Sequence, residues 1–270
     1  MGPRGRSTNP DPDPRGRSPA VARRSGASLS EIYSAIQGEG PDIGERQILV
    51  RLAGCNLACR YCDTDTEPPR ACRVERRAGR RNWKTLPNPV GSEAVLDAVD
   101  RLAKQVRHES VAWTGGEPLL SDRFLRAVAP PLRALGLRQD LHTNASLPGK
   151  LAPLLDQFDR ITADFKLPTS TGEHVDWQAT ERFLKLARGK LLAIKMVVVR
   201  GLPGEEFDRA LEIAAGAARS ATLVLQPVTP VAAGAEPPGP EELLAMQERA
   251  LRTFKRVLVI PQSHKMIGQL

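Results

Sequence analysis

Gly54-Cys55-Asn56-Leu57-Ala58-Cys59-Arg60-Tyr61-Cys62-Asp63-Thr64 carries three cysteines at the spacing C-x3-C-x2-C. The apolar run Ile48-Leu49-Val50-Arg51-Leu52 just before it reads as a strand, expected over 46–53. Thiols this close in the chain make poor disulfide partners for one another, because such short loops strain the bond geometry. They suit a soft-metal site instead. Three thiolates leave one iron of a four-iron cluster without a protein ligand, and an open iron can bind a substrate or cofactor. The competing reading is zinc, with Cys72 as a fourth thiolate closing a tetrahedral shell. Zinc sites are usually built from two pairs of cysteines, which this stretch lacks, and Cys72 reads most simply as a free thiol.

Outward from this loop the pattern becomes regular. Helical periodicity is expected over 92–107, 121–135, 177–188, 204–218 and 239–252, with a short helix near 149–155. Strands are expected at 111–113, 138–142, 161–165, 191–199, 222–225 and 257–260. Strands alternating with helices of this length imply right-handed crossovers and a parallel sheet, with about six βα units, fewer than the eight of a closed barrel. Sites in such sheets lie at the carboxyl ends of the strands. The polar motifs fall there: the cysteine loop, Thr114-Gly115-Gly116-Glu117-Pro118, Thr143-Asn144, Lys166 and Gln226. The glycines let a ligand approach the backbone, and Glu117 can accept a hydrogen bond or face a cation.

Charge is uneven. The formal net charge is +8. Residues 1–27 carry six Arg against two Asp, and residues 70–84 carry six Arg and one Lys against one Glu, so the remainder is slightly acidic. The basicity belongs to two polar segments rather than a folded face. Residues 1–27 are expected to be a disordered Pro- and Arg-rich tail, and 65–90 a basic loop inserted in a domain spanning 28–270. Aromatic residues make up 4% of the chain, leaving few stacking platforms for nucleic acid, which is not an expected partner. No apolar run long enough to span a membrane and no secretory signal are found. Four cysteines in that context suit a reducing, cytoplasmic setting.

The cysteine spacing, with Tyr61 before the third cysteine, resembles the signature of the radical S-adenosylmethionine (SAM) enzymes. The Gly-Gly-Glu-Pro turn is similar to the motif that contacts the SAM amino group there. The resemblance implies an α/β fold, a partial parallel βα barrel, with Cys55, Cys59 and Cys62 on a [4Fe-4S] cluster. It implies SAM contacts at Tyr61, Asp63, Gly115, Gly116, Glu117, Asn144, Asp164, Lys166 and Gln226. Gln37-Gly38-Glu39-Gly40 upstream, Arg51, Asp63-Thr64 and the closing Pro261-Gln262 and His264-Lys265 narrow the likeness. Together they resemble the 7-carboxy-7-deazaguanine synthases, over roughly 29–268. That family converts 6-carboxy-5,6,7,8-tetrahydropterin to 7-carboxy-7-deazaguanine and ammonia. By this resemblance Ile36, Gln37, Gly38, Arg51 and Thr114 bind the pterin, and Thr64 holds a Mg2+ ion. No side chain is assigned a catalytic role, since the cofactors carry the chemistry. An electron donor such as flavodoxin or ferredoxin and a homodimer are also implied. One departure stands out: Ala145 occupies a place where the family commonly has glycine. Two other readings stay open at this point. One is a glycyl-radical-enzyme activating protein, which would need an open groove; the other is a zinc-stabilised basic nucleic-acid-binding protein.

Overall fold

Alternation of apolar strands with amphipathic helices builds one twisted sheet in the computed structural model, which describes residues 25–64, 67–230 and 235–269. In chain order the strands are β1 (Gly26–Ala27), β2 (Leu29–Ile36), β3 (Arg46–Leu52), β4 (Ala71–Glu75), β5 (Trp83–Pro87), β6 (Val90–Gly91), β7 (Ser110–Gly115), β8 (Arg138–Thr143), β9 (Arg160–Asp164), β10 (Leu191–Val198), β11 (Thr222–Pro227) and β12 (Val257–Val259). The main sheet has the order β12-β11-β10-β9-β8-β7-β3-β2-β4-β5. From β3 to β12 every neighbouring pair is parallel. The sheet ends at β12 on one side and β5 on the other, so it is an incomplete barrel.

The crossover helices are Ser92–Ala103, Asp122–Ala134, Trp177–Ala187, Gly204–Ala218 and Pro240–Leu251, with a short turn of helix at Pro148–Leu151. Each of the five is held by an apolar stripe at helical spacing. In Gly204–Ala218 the buried positions are Phe207, Ala210, Leu211, Ala214, Ala217 and Ala218. Glu205 and Glu206 complement the positive end of its backbone dipole. The central strands read as continuous apolar runs because helices cover the sheet: Val111, Ala112 and Trp113 of β7 are all fully buried. Among the described residues no helix is long and apolar enough to cross a membrane.

Two expectations need correcting. The stretch expected as a loop at 65–90 carries a strand hairpin over 71–87. β2 runs antiparallel to β3, β4 joins β2 in parallel, and β5 folds back on β4, so the Arg-rich stretch extends the sheet. Alternation decides this: Cys72 and Val74 point inward and are fully buried, while Arg73 points out and lies 4.9 Å above the Trp83 ring. Glu75, 1% exposed, anchors the hairpin by accepting from the Ser34 N–H (2.9 Å) and the Arg81 N–H (2.7 Å). Arginine-rich composition hid a period-two pattern whose inward members are small or apolar. Cys72, far from sitting in a loose segment, is a core residue. The second expectation concerns the boundary at 28: Gly26 and Ala27 pair antiparallel with Gly91 and Val90, and Ala27 is buried, so both belong to the folded domain. The rest of the expected tail, residues 1–24, lies outside the described residues.

Candidate active site

A cavity of about 590 Å³ opens within the sheet at the strand carboxyl ends. Cys55, Cys59, Cys62, Tyr61, Asp63, Thr64, Ile36, Gln37, Gly38, Arg51, Thr114, Gly115, Gly116, Asn144, Asp164, Lys166 and Gln226 all line it. Among the expected cluster, SAM, pterin and Mg2+ contacts the exception is Glu117.

The cysteine loop is held from three sides. Gly116 donates its N–H to the Leu52 carbonyl (2.8 Å) and Glu117 to the Gly54 carbonyl (2.9 Å), tying the end of β7 to the loop. Asn144 donates to Asn56 Oδ1 at 2.9 Å, with Cys55 Sγ at 3.8 Å. Arg60 donates through its backbone N–H to the Thr171 carbonyl (2.8 Å) and through its guanidinium to the carbonyls of Thr169 (2.7 Å) and Ser170 (3.2 Å). The three cysteines remain unbridged. Burial pushes the Cys59 thiol up to about 11, with Lys166 opposing it. A buried thiol surrendering its proton there needs a cation beside it, which a metal centre provides.

Glu117 lies beneath the wall rather than in it. It is 1% exposed and accepts from the Leu119 N–H (3.0 Å), the Thr143 hydroxyl (2.9 Å) and the Asn144 N–H (2.8 Å). Through these bonds its carboxylate fixes the β8 terminus from behind the wall. The glycines of the same turn serve close backbone packing. A Cβ on Gly115 would lie 2.1 Å from the Leu52 carbonyl oxygen, and one on Gly116 1.9 Å from that of Gly54. Ala145 keeps the turn that a glycine would give: its φ is +58°, in the left-handed region, and it is fully buried. The departure noted in the sequence therefore leaves the backbone path intact, at a steric cost of roughly 1–2 kcal/mol.

Charge along the wall alternates. Lys166 donates to Asp164 (2.9 Å) and to the Tyr61 hydroxyl (3.0 Å); Lys195 sits 3.2 Å from Asp164 and 2.7 Å from Glu39. Burial pushes the Glu39 carboxyl up, but the charge and hydrogen bond of Lys195 outweigh it and bring it down to about 2. Burial likewise opposes ionisation of Asp164, and Lys166 and Lys195 overcome it. Arg51 donates to the Thr64 hydroxyl (3.0 Å) and lies 3.5 Å from Glu31, which also pairs with Arg73. The closing segment reaches back over the site: Gln262 donates to Glu39 (2.7 Å), Ser263 to the Gly38 carbonyl (3.0 Å), and Lys265 pairs with Asp63 (2.6 Å).

Sequence reasoning missed Lys195, Glu31, Arg73 and His142, all of which line the cavity. Lys195 left a signal, a lone charge inside an otherwise apolar strand. Cys72 lies on β4 and does not line the cavity, so it cannot complete a shell with the other three. Asp42, Glu45 and Asp140 approach closely enough to bind a cation. Arg160 already fills that position, donating to Asp42 (2.8 Å), Glu45 (3.0 Å) and Asp140 (2.6 Å).

Comparison with known proteins matches residues 49–214 to the radical SAM superfamily. The chain is 39% identical over 248 residues to the 7-carboxy-7-deazaguanine synthase of Geobacter sulfurreducens, covering 91% of this chain and 98% of that protein. It is 35% identical over 250 residues to the protein of the same name from Methanopyrus kandleri, covering 90% and 94%. The crystal structure of QueE from Escherichia coli shares the fold, with a TM-score of 0.55 at 21% identity over 87% of this chain and 94% of that one.

Proposed function

The chain belongs to the 7-carboxy-7-deazaguanine synthase family of the radical SAM superfamily, and on that premise we propose which of its residues do the work. The enzyme contracts the ring of 6-carboxy-5,6,7,8-tetrahydropterin to 7-carboxy-7-deazaguanine with loss of ammonia. The observation that carries the residue assignment is convergence: three unbridged thiols and a guanidinium fork line one cavity, and two residues of its wall carry unpartnered buried acceptors. Cys55, Cys59 and Cys62 hold the [4Fe-4S] cluster, and the fourth iron is left for SAM. The acceptors are Asp164 Oδ1 and Gln226 Oε1, both buried without a hydrogen-bond partner among the described residues. An unpaired buried acceptor is costly, and SAM offers an ammonium, ribose hydroxyls and an adenine amino group to satisfy such atoms. Tyr61, Asp63, Gly115, Gly116, Asn144 and Lys166 form the rest of the SAM wall, with Glu117 positioning it. Once bound, the cluster and SAM supply the carbon radical that takes a hydrogen from the substrate.

The protein's own task is to orient the pterin and exclude water. Arg51 presents a planar fork suited to a carboxylate, while Thr114 and the turn Ile36, Gln37 and Gly38 bound the ring. The Thr64 hydroxyl accepts from Arg51 with one lone pair and retains another for a hard cation such as Mg2+. The acidic triad at Arg160 has no room for that role. Unbridged thiols fit a cytoplasmic, reducing setting. Cluster reduction calls for a one-electron donor of the flavodoxin or ferredoxin type. The homodimer rests on family resemblance and is checked by sedimentation. The direct test of the assignment is anaerobic turnover of the carboxypterin with SAM and Mg2+, followed by the deazaguanine chromophore, in parent and variants.

Two variants separate the substrate side from the SAM side. Arg51→Lys keeps the charge and loses the fork; it is expected to raise the pterin KM about tenfold or more, or about 1.4 kcal/mol, with SAM affinity unchanged. A fall in SAM affinity with normal pterin binding would move Arg51 to the other half of the site. Thr64→Ala removes one oxygen ligand and is expected to blunt the stimulation of turnover by Mg2+. An unaltered Mg2+ response would mean that the ion sits elsewhere.

A further inference from the structure

A buried polar chain runs from the ion cluster at Arg160 to the cavity wall. Asp140 is 3% exposed, and its carboxylate accepts from Arg160 (2.6 and 3.1 Å) and Arg138 (3.2 Å). Burial pushes Asp140 up, but the hydrogen bonds and charge of Arg160, with Arg138, hold it below the ordinary carboxylate range. It is therefore an acceptor only. Gln47 on β3 is fully buried and donates Nε2 to Asp140 Oδ2 at 3.3 Å. Its Oε1 then faces the other way and accepts from Gln37 Nε2 at 2.9 Å. The Gln37 Oε1 accepts from the Glu39 N–H at 3.0 Å, so this amide is fixed from both ends. The same Gln37 Nε2 lies 3.4 Å from His142 Nε2. A donor on the glutamine side makes His142 Nε2 the acceptor. Burial, with Lys195 and Arg160 against Asp140 and Glu39, favours the neutral ring.

We propose that Asp140 and Gln47 are positioning residues which, through Gln37, hold His142 as its Nδ1–H tautomer, so that His142 offers the cavity a hydrogen-bond donor. The chain has one direction because one end is an ionised carboxylate, which cannot donate, and the other is the Glu39 N–H, which cannot accept. Turning either amide over would set like groups face to face in a buried setting, where an unmade hydrogen bond is expensive. The Nδ1 atom makes no hydrogen bond among the described residues, which leaves it for a ligand. Its complement is an acceptor on a heteroaromatic ring, a carbonyl oxygen or a ring nitrogen lone pair. This last step rests on the reading that the pterin lies against Gln37.

The test uses the reconstituted holoenzyme labelled with 15N-histidine. The chain has four histidines, and the His142 signals are those lost in His142→Gln. The parent is expected to show a neutral ring protonated at Nδ1. Gln47→Leu, close in volume, breaks the chain at its middle, taking one donor from Asp140 but leaving its bonds to Arg160 and Arg138; Asp140→Asn permits its reversal. Both should move the proton towards Nε2 and raise the pterin KM about tenfold, with kcat within about twofold and SAM affinity unchanged. A merely structural role would leave the tautomer alone. A parent ring protonated at Nε2, or a tautomer indifferent to both variants, overturns the proposal. A tautomer that moves without any change in KM upholds the positioning chain and overturns instead the placing of the pterin against Gln37.

Discussion

Gly116→Ala is expected to lower turnover at least about a hundredfold, or about 2.7 kcal/mol of barrier, and to weaken SAM binding with it. The new Cβ would lie 1.9 Å from the Gly54 carbonyl oxygen and 2.6 Å from its carbon. Neither atom belongs to a side chain that could swing aside. They belong to the backbone of the residue preceding Cys55, and that carbonyl accepts the Glu117 N–H. Relief therefore requires the end of β7 and the cysteine loop to separate. That shifts Cys55 relative to Asn144 and opens the wall to water. Ordinary overpacking in a core costs about 1–3 kcal/mol because side chains and helices yield a little; here the strain falls on the cluster-binding loop. Iron and sulfide content, SAM affinity and turnover are the measurements. Gly149→Ala is the control, since nothing lies within 4 Å of its added Cβ. A Gly116→Ala protein with full iron and turnover close to the parent would show that the two segments can part without harm to the site.

This close packing bears on what could be read from the residues alone. The parallel sheet and its helices were legible because strand and helix periods alternate cleanly from residue 92 onward. The helix expected at 204–218 matches Gly204–Ala218 to the residue, since its apolar stripe is uninterrupted. The site was legible as a set because side chains at strand carboxyl ends must converge in a sheet of this kind. What stayed hidden were relations that spacing does not encode. Gly115 and Gly116 suggested a ligand's approach, whereas their immediate neighbour is the chain's own backbone. Glu117 was legible as an acceptor, but that its donors would be the chain's own Leu119, Thr143 and Asn144 was not. The hairpin of β4 and β5 was missed because seven cations in fifteen residues speak for solvent, and its inward residues are a cysteine and a valine. Lys195 and His142 carry no motif; only the fold brings them to Glu39 and Gln37.

Single replacement of Cys55, Cys59 or Cys62 by alanine is expected to abolish the cluster, its brown colour and all SAM cleavage, while Cys72→Ala keeps all three. The contrast follows from position. The first three thiols line one cavity on one loop, and no fourth cysteine reaches it. Cys72 sits fully buried on β4, two strands away from β3 in the sheet order, among the apolar side chains of the core. Burial pushes its thiol up to about 12, with Glu31 adding to the effect, and it lies away from the cavity that the other three line. Anaerobically reconstituted Cys72→Ala should therefore carry about four iron and four sulfide per chain, as the cluster's composition demands. Its defect should appear in another measurement. Removing a buried sulfur leaves a small void, and thermal unfolding should come at a lower temperature, by an amount corresponding to roughly 1–2 kcal/mol. A parent protein that is colourless, binds one zinc and loses it on Cys72→Ala would reverse the assignment, because only a closed tetrahedral site has any use for a fourth thiolate.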